Sequence, residues 1–386
     1  MPIPLLFLIA DTGGGHRAGA NAVSRRLELD RPGEFDVRIV DPVATASPGV
    51  LGRTAGLYGP VIQHARWLWA ALYHATNSRG AVALMRRTAL RPLRDTLTGL
   101  LDTVEPAAVV SFHPLLNHLA AQAVRAPGAT RVPVITVITD LVDVHAGWAC
   151  RDVDAVVIPS PGGLDRCRRA GIPAHRCHQL GLPVDAAFAR PIPSGEERRD
   201  LRQRLGLSPD RFTVLVCSGA DGSGQIDRRA RAIASSGLDV GLAVICGRNG
   251  AARRRLAGLR DGSGRPVPVR GFVDDMADWM RAADLVVTKA GPGTIVEALC
   301  SGLPLLLTWY LPGQERGNVE WLVDIGAGRY VPGDAQLIDA IGELSAPGSP
   351  GLAAMRAAVA AAARPEATAR IAALVADIAA AGVVQR

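Results

Sequence analysis

Short, nearly unbroken apolar runs alternate along the chain with longer stretches whose apolar residues recur at helical spacing. Unbroken runs suit strands buried on both faces, and the periodic stretches suit the helices that cover them, so the pattern predicts parallel βαβ units. Strands are predicted at 4–10, 36–41, 107–111, 132–138 and 154–158, and again at 212–217, 240–246, 267–270, 284–288 and 304–308. Each series opens with a strand, a Gly-rich turn and a helix. The stretch 189–211 between them carries Pro191, Pro193, Gly195 and a run of charges, which reads as a linker. A chain of 386 residues is too long for one ordinary core. The expected division is a Rossmann-like domain over 1–190, a linker over 191–211 and a second Rossmann-like domain over 212–350. An Ala-rich helical tail over 351–386, broken near Pro365, is expected to pack back on the first domain. The fold class is therefore α/β.

Composition narrows the picture only a little. A net charge of +7 comes almost wholly from arginine, with Lys289 the single lysine. Such a surface suits an anionic membrane face or phosphate-bearing substrates, and no nucleic-acid-binding motif accompanies it. The six cysteines (150, 167, 177, 217, 246 and 300) form no C-x-x-C pair and read as buried free thiols. Cys167, His175, Cys177 and His178 match no common zinc spacing, so no metal is expected. Residues 3–10 are apolar but too short to span a bilayer and lack a basic stretch before them. A cytoplasmic protein is expected, one that meets a membrane from its surface. The insertion 55–100 bears on that point, because Tyr58, Trp67, Trp69, Leu72 and Tyr73 precede Arg86, Arg87, Arg91 and Arg94. Aromatics beside a basic cluster suit a helix in a membrane interface, and they equally suit packing into the domain core.

Four stretches carry candidate chemistry. The first strand runs into Asp11-Thr12-Gly13-Gly14-Gly15-His16 ahead of a helix. Consecutive glycines let a ligand approach the backbone, and an imidazole at the carboxyl end of a parallel sheet can act as a general base. The spacing is not the G-x-G-x-x-G of dinucleotide binding. Ser218-Gly219-Ala220-Asp221-Gly222-Ser223-Gly224 follows the first strand of the second series and can offer amides to a diphosphate. Lys289-Ala290-Gly291-Pro292-Gly293-Thr294 exposes a helix start, with Thr294 as a phosphate-facing hydroxyl, Lys289 as a point charge and Glu297 placed to bond a ribose. Gln314, Glu315 and Asn318 form a polar cluster that suits the hydroxyls of a hexose.

Taken together, Gly13–His16, Ser111-Phe112-His113-Pro114, Thr139-Asp140-Leu141 with His145 and Trp148, Gly271-Phe272-Val273-Asp274-Asp275-Met276 and the run 289–318 make the chain resemble monogalactosyldiacylglycerol synthases. These share glycosyltransferase family 28 with the peptidoglycan N-acetylglucosaminyltransferase. The resemblance spans nearly the whole chain. It implies a GT-B fold of two Rossmann-like domains facing a central cleft and inverting transfer from a UDP-sugar. No catalytic metal, no cofactor and a peripheral habit on the inner face of the cell membrane are further implications.

By position, Phe272 and Val273 would meet the uracil, Glu297 the ribose, and Gly219, Gly291, Gly293, Thr294 and Lys289 the diphosphate. Gln314, Glu315 and Asn318 would meet the sugar, with Gly14 and Gly15 at the first turn. His16 would be the base, and Asp140 and His113 its partners. The 218–224 loop departs from the plant-type synthases, which are richer in glycine there. The expected activity is hexosyl transfer to a lipid hydroxyl, diacylglycerol first among acceptors. A transferase for a soluble aglycone, a UDP-sugar epimerase and a non-catalytic nucleotide-sugar-binding protein are the alternatives. Which hexose is moved stays open.

Overall fold

The computed structural model describes residues 1–11, 14–46, 66–88, 90–222 and 224–384. Gly13, Tyr58 and Ser223, and the side chain of Arg91, lie outside this description. The chain forms two compact units. One comprises Met1–Ala186, Pro312–Gln314 and Glu366–Arg386, and the other Ala187–Leu311 and Glu315–Pro365.

The first unit is built on a parallel sheet of β1 (Ile3–Leu8), β2 (Phe35–Val40), β3 (Ala108–Ser111), β4 (Val134–Val137), β5 (Ala155–Ile158) and β6 (Cys177–Gln179), in the order β2-β1-β3-β4-β5-β6. Its middle strands are buried throughout, which is why each reads as an unbroken apolar run. Leu5, Phe7, Val110 and Ile135 point to one face, where Val23 and Leu27 of helix Gly14–Asp30 meet Ile371, Val375 and Ala379 of helix Ala367–Val384. Leu6, Leu8, Val109 and Val134 point to the other, under Leu93 and Leu97 of helix Arg91–Val104 and Leu116 and Leu119 of helix Leu116–Ala123. The alternation of side chains along each strand thus divides one apolar run between two cores.

The second unit repeats the plan with β7 (Thr213–Cys217), β8 (Gly241–Ile245), β9 (Val269–Arg270), β10 (Leu285–Lys289), β11 (Leu305–Trp309) and β12 (Gly328–Tyr330). Their order is β12-β11-β10-β7-β8-β9, the Rossmann order. In each sheet the chain reverses direction beside its first strand, between β1 and β3 and between β7 and β10. Open α/β sheets bind ligands outside the carboxyl ends of the strands at such a point.

Several expectations are corrected. Residues 191–211 are not a free linker. Ser194 caps helix Gly195–Arg204 with a capping box completed by Glu197. Arg202 of that helix gives its Nη2 to Asp284 Oδ2 at 2.5 Å and its Nε to the Ala282 carbonyl at 2.8 Å. Arg198 and Arg356 reach the other oxygen of Asp284 at 2.9 Å and 3.1 Å. The tail is also divided, since helix Pro350–Ala362 belongs to the second unit and helix Ala367–Val384 to the first. Two strands absent from the prediction, β6 and β12, close one edge of each sheet. Five of the six cysteines are buried and Cys177 is half-buried, all of them free thiols. Among the described residues no helix is long and apolar enough to cross a membrane.

Candidate active site

In the first unit, β1 ends ahead of helix Gly14–Asp30, which carries His16 at its first turn. Gly14 is half-buried, Gly15 is exposed, and a Cβ added at Gly15 would meet nothing within 4 Å. The backbone there is open to a ligand. Asp11 takes both Nε and Nη2 of Arg17 at 2.8 Å and 2.7 Å, which ties it to that helix.

His16 lies at the strand-order reversal. Its Nδ1 is 2.8 Å from Thr139 Oγ1, on the loop after β4, and its ring meets the edge of His113, on the loop after β3, at a centroid distance of 5.1 Å. Burial pushes the His16 imidazole down to about 4, against the opposing pull of a backbone hydrogen bond at Phe112 and of the Asp11 charge. Burial also holds His113 well below the ordinary range, helped by His16 and His145. Both rings are neutral at pH 7, and a neutral imidazole can take a proton.

Asp140 follows Thr139 and is itself buried. Its Oδ2 accepts from the indole Nε1 of Trp148 at 2.7 Å, and its Oδ1 from Gln314 Nε2 at 3.2 Å. The structure therefore gathers His16, His113, Asp140 and Gln314 in one place. The Thr139 hydroxyl is the group at the His16 ring, and nothing in its local sequence signals this role.

Four buried or half-buried histidines, His16, His113, His118 and His145, all have depressed pKa values, with burial the leading cause for each. The unfolded chain then binds protons first. Folded stability is held above the ordinary histidine value of 6.5 and is lost as the pH falls toward about 4. Thermal unfolding followed from about pH 7 to about pH 5 should show a falling midpoint across that window. A flat midpoint would mean that these rings are solvated in the folded protein.

In the second unit the site forms where β7 and β10 lie side by side. The loop after β7 is shaped by glycines in the left-handed region, Gly219 at φ 64° and Gly222 at φ 58°. A Cβ added at Gly222 would lie 1.9 Å from the Cys246 carbonyl oxygen, and one at Gly247, at φ 57°, would lie 2.3 Å from that of Ala220. Two glycine turns thus interlock. Arg248 N donates to Ala220 O at 2.7 Å and Asn249 Nδ2 to Gly222 O at 2.9 Å, which completes the lock.

The loop meets the next turn closely. Cβ atoms added at Gly219 and Gly224 would lie 3.8 Å from Thr294 Oγ1 and 3.9 Å from Lys289 Cβ, respectively. Helix Pro292–Cys300 starts there, with Pro292 at its first position, and a Cβ at Gly293 would meet nothing within 4 Å. Backbone amides at a helix start, an open glycine face and a glycine-shaped loop together make an anion cradle. Ser218 Oγ is buried beneath it with no hydrogen-bond partner among the described residues.

The polar cluster is arranged differently from the expectation. Lys289 Nζ is 2.5 Å from Glu315 Oε1, and Glu315 Oε2 accepts from Leu311 N at 2.8 Å. The one lysine is therefore paired with a buried carboxylate, where a point charge beside phosphates was expected. Asn318 Nδ2 donates to Ala290 O at 2.9 Å and so steadies the turn before the helix. Glu297, one turn into the helix, is half-buried. Phe272 is exposed and Val273 half-buried, and the Arg248 guanidinium lies 5.3 Å from the Phe272 ring centre. Arg248, which the sequence does not single out, also reaches Asp221 at 3.5 Å and so links the exposed Phe272 to the loop after β7.

The sequence profile of the family described as monogalactosyldiacylglycerol (MGDG) synthase matches residues 16–184, and that of the glycosyltransferase family 28 C-terminal domain matches residues 213–371. Monogalactosyldiacylglycerol synthase 1, chloroplastic, of Arabidopsis thaliana is 32% identical over 379 residues, 96% of this chain and 70% of that protein. Among solved structures, Acinetobacter baumannii MurG superposes with a TM-score of 0.62 at 19% identity, covering 97% of this chain and all of that one. Anabaena Alr3699/HepE, solved in complex with UDP and glucose, gives a TM-score of 0.55 at 18% identity over 96% of this chain and 99% of that one. These two likenesses show a GT-B fold. With its two halves matched by the two profiles in turn and a relative at this identity along nearly its whole length, the chain belongs to the monogalactosyldiacylglycerol synthase family.

Proposed function

We propose that the protein is an inverting transferase that moves a hexose from a UDP-sugar to the hydroxyl of diacylglycerol at a membrane surface. Membership of a family named for monogalactosyldiacylglycerol synthesis supports this donor class and acceptor, with galactose first among the hexoses. The observation that carries the chemistry is the neutral His16 imidazole at the strand-order reversal of the first sheet.

In this reading His16 removes the proton from the acceptor hydroxyl as that oxygen bonds to the anomeric carbon. The bond from that carbon to the diphosphate breaks, and UDP leaves with the electron pair. Amides of the 218–224 loop and of the 291–294 helix start take up the developing charge. Phe272, Val273 and Arg248 frame the base, Glu297 bonds the ribose, and Gln314 addresses the sugar with Asp140 behind it. The Lys289–Glu315 pair and Asn318 hold the turn that presents these groups.

A peripheral place on the inner face of the cell membrane is part of the same proposal. Helix Arg66–Thr76 leaves Trp67 75% exposed, Leu68 44% and Leu72 53%, while Tyr73 packs inward at 6%. An exposed apolar stripe preceding an arginine-bearing helix suits an interface lined with anionic lipid.

The test is to incubate purified protein with a panel of UDP-sugars and diacylglycerol micelles and read the products by mass spectrometry. A hexosyl-diacylglycerol is expected, together with sedimentation of the protein with anionic liposomes. Epimerised donor with no acceptor product, or transfer only to a soluble aglycone by protein that stays in the supernatant, would overturn the reading.

A further inference from the structure

The loop 143–148 joins helix Arg66–Thr76 to the Asp140 side of the site, and His145 is its joint. The His145 side chain caps the single helical turn Ala146–Trp148, its Nδ1 accepting from Gly147 N at 3.1 Å. Nδ1 therefore carries no proton, and the ring proton sits on Nε2. Nε2 lies 3.3 Å from Thr76 Oγ1, whose own hydrogen goes to the Leu72 carbonyl at 2.8 Å, so the imidazole donates to Thr76. One neutral ring thus bridges a helix carbonyl network and the amide of a turn.

The same turn is clamped elsewhere. Asn77 Oδ1 accepts from Ala146 N at 2.7 Å, Tyr73 Oη donates to the Asp143 carbonyl at 2.9 Å, and the Tyr73 and His145 rings meet edge to face at 5.0 Å. Asn117, fully buried, donates to the Trp148 carbonyl at 3.1 Å. A Cβ added at Gly147 would sit 3.1 Å from both His145 Nδ1 and the Pro114 carbonyl, so the turn fits tightly against the loop after β3. The turn ends on Trp148, fully buried, whose indole holds Asp140 at 2.7 Å and whose ring centre is 6.0 Å from that of His16.

We infer that His145 is a positioning residue for the transfer reaction, acting through Gly147 and Trp148 on Asp140 and tying that carboxylate to the helix that bears the exposed Trp67, Leu68 and Leu72. This rests on the proposed function. A shift of the Trp148 indole would move the Asp140 carboxylate and, through it, Gln314, while the loops proposed to hold the uracil and the diphosphate would be untouched. The effect therefore belongs mainly in turnover, and the KM for UDP-sugar, set largely by those loops, should change little.

The experiment is a double-mutant cycle on the full chain with diacylglycerol micelles and UDP-sugar. His145→Ala is expected to lower kcat about tenfold, as a displacement of well under 1 Å can do, with KM for the donor within about twofold. His145→Asn, whose Oδ1 can still cap Gly147 N, should recover most of the loss. In a Trp148→Phe background, which already lacks the indole donor, His145→Ala should cost less than about twofold more. Full additivity of the two changes, or a His145→Ala protein with normal kcat, would overturn the inference. So would a loss that follows only the fraction of folded protein by circular dichroism. Failure of the wild-type chain to make any glycolipid would instead strike the proposed function itself, so the two outcomes are separable.

Discussion

His16→Ala should lower turnover by about 10²–10⁴-fold, the usual contribution of a positioned general base, and leave the thermal unfolding midpoint at pH 7 within a few degrees of the wild type. The side chain is half-buried and its Nδ1 meets one hydroxyl, that of Thr139, so little of the fold depends on it. Its environment is arranged for chemistry instead. Burial keeps the ring neutral to about pH 4 in the unliganded protein, and the approach of a diphosphate would raise that value by favouring the charged form. Turnover should therefore decline on the acid side, at a pH set by the liganded complex. Thr139→Val, which removes the hydroxyl and keeps the shape, should have the same sign and a smaller size. Wild-type turnover in the His16→Ala protein would remove this residue from the catalytic role and leave Asp140 or His113 to be tested for it.

The second large effect is expected at Gly222, where the cause is steric. Gly222→Ala places a methyl 1.9 Å from the Cys246 carbonyl oxygen on a backbone at φ 58°. The left-handed conformation alone costs a non-glycine residue about 1–2 kcal/mol, and the backbone collision adds to it. Neither carbonyl nor loop can yield cheaply, because the Cys246 amide is bonded to Arg270 O at 2.9 Å and the following turn is locked to Ala220. The 218–224 loop should be forced out of place. UDP binding measured by calorimetry should weaken by at least about 100-fold, and the protein should lose upwards of about 2 kcal/mol of stability to denaturant. Binding at wild-type strength would show that the loop does not hold the diphosphate.

The fold was legible because its strands are buried on both sides. Leu5 to Leu8, Val109–Val110 and Val214 to Val216 are apolar at consecutive positions, and a run of that kind has few other homes. Of the four edge strands, β2 and β9 were legible in the pattern, and β6 and β12 were not. Cys177–Gln179 and Gly328–Tyr330 are three residues each, half-buried and partly polar, so they resemble loop. Helix Gly195–Arg204 was hidden by its charges. Its arginines look solvated in a local window, and their partner, Asp284, stands 82 residues further along the chain from Arg202.

At the site, the glycine turns were readable from backbone chemistry, since few structures need so many glycines at the end of a strand. Their mutual lock was not. That Gly222 needs Gly247, or that Arg248 covers Phe272, depends on how β8 follows β7 in the sheet. Lys289 stood out by being alone, which located a place of interest and said nothing of Glu315. Glu297 and Gln314 were readable from their chemistry as groups that bond sugar hydroxyls, whereas the role given to Phe272 and Val273 came through family resemblance alone, because an apolar residue on a loop carries no mark of the group it meets.

Asp284 has a consequence for how halves of such enzymes can be recombined. Its carboxylate sits at the head of β10, 9% exposed, and is satisfied from three sides by Arg198, Arg202 and Arg356 and by the Thr213 amide. Two of those arginines lie ahead of the first strand of the second sheet, so the packed second unit effectively begins at the Ser194 cap. A chimera spliced at residue 212 would import the aspartate with Arg356 and leave Arg198 and Arg202 with the other parent. Shuffled proteins should keep 194 to 365 as one inherited block, whatever first unit is joined to it.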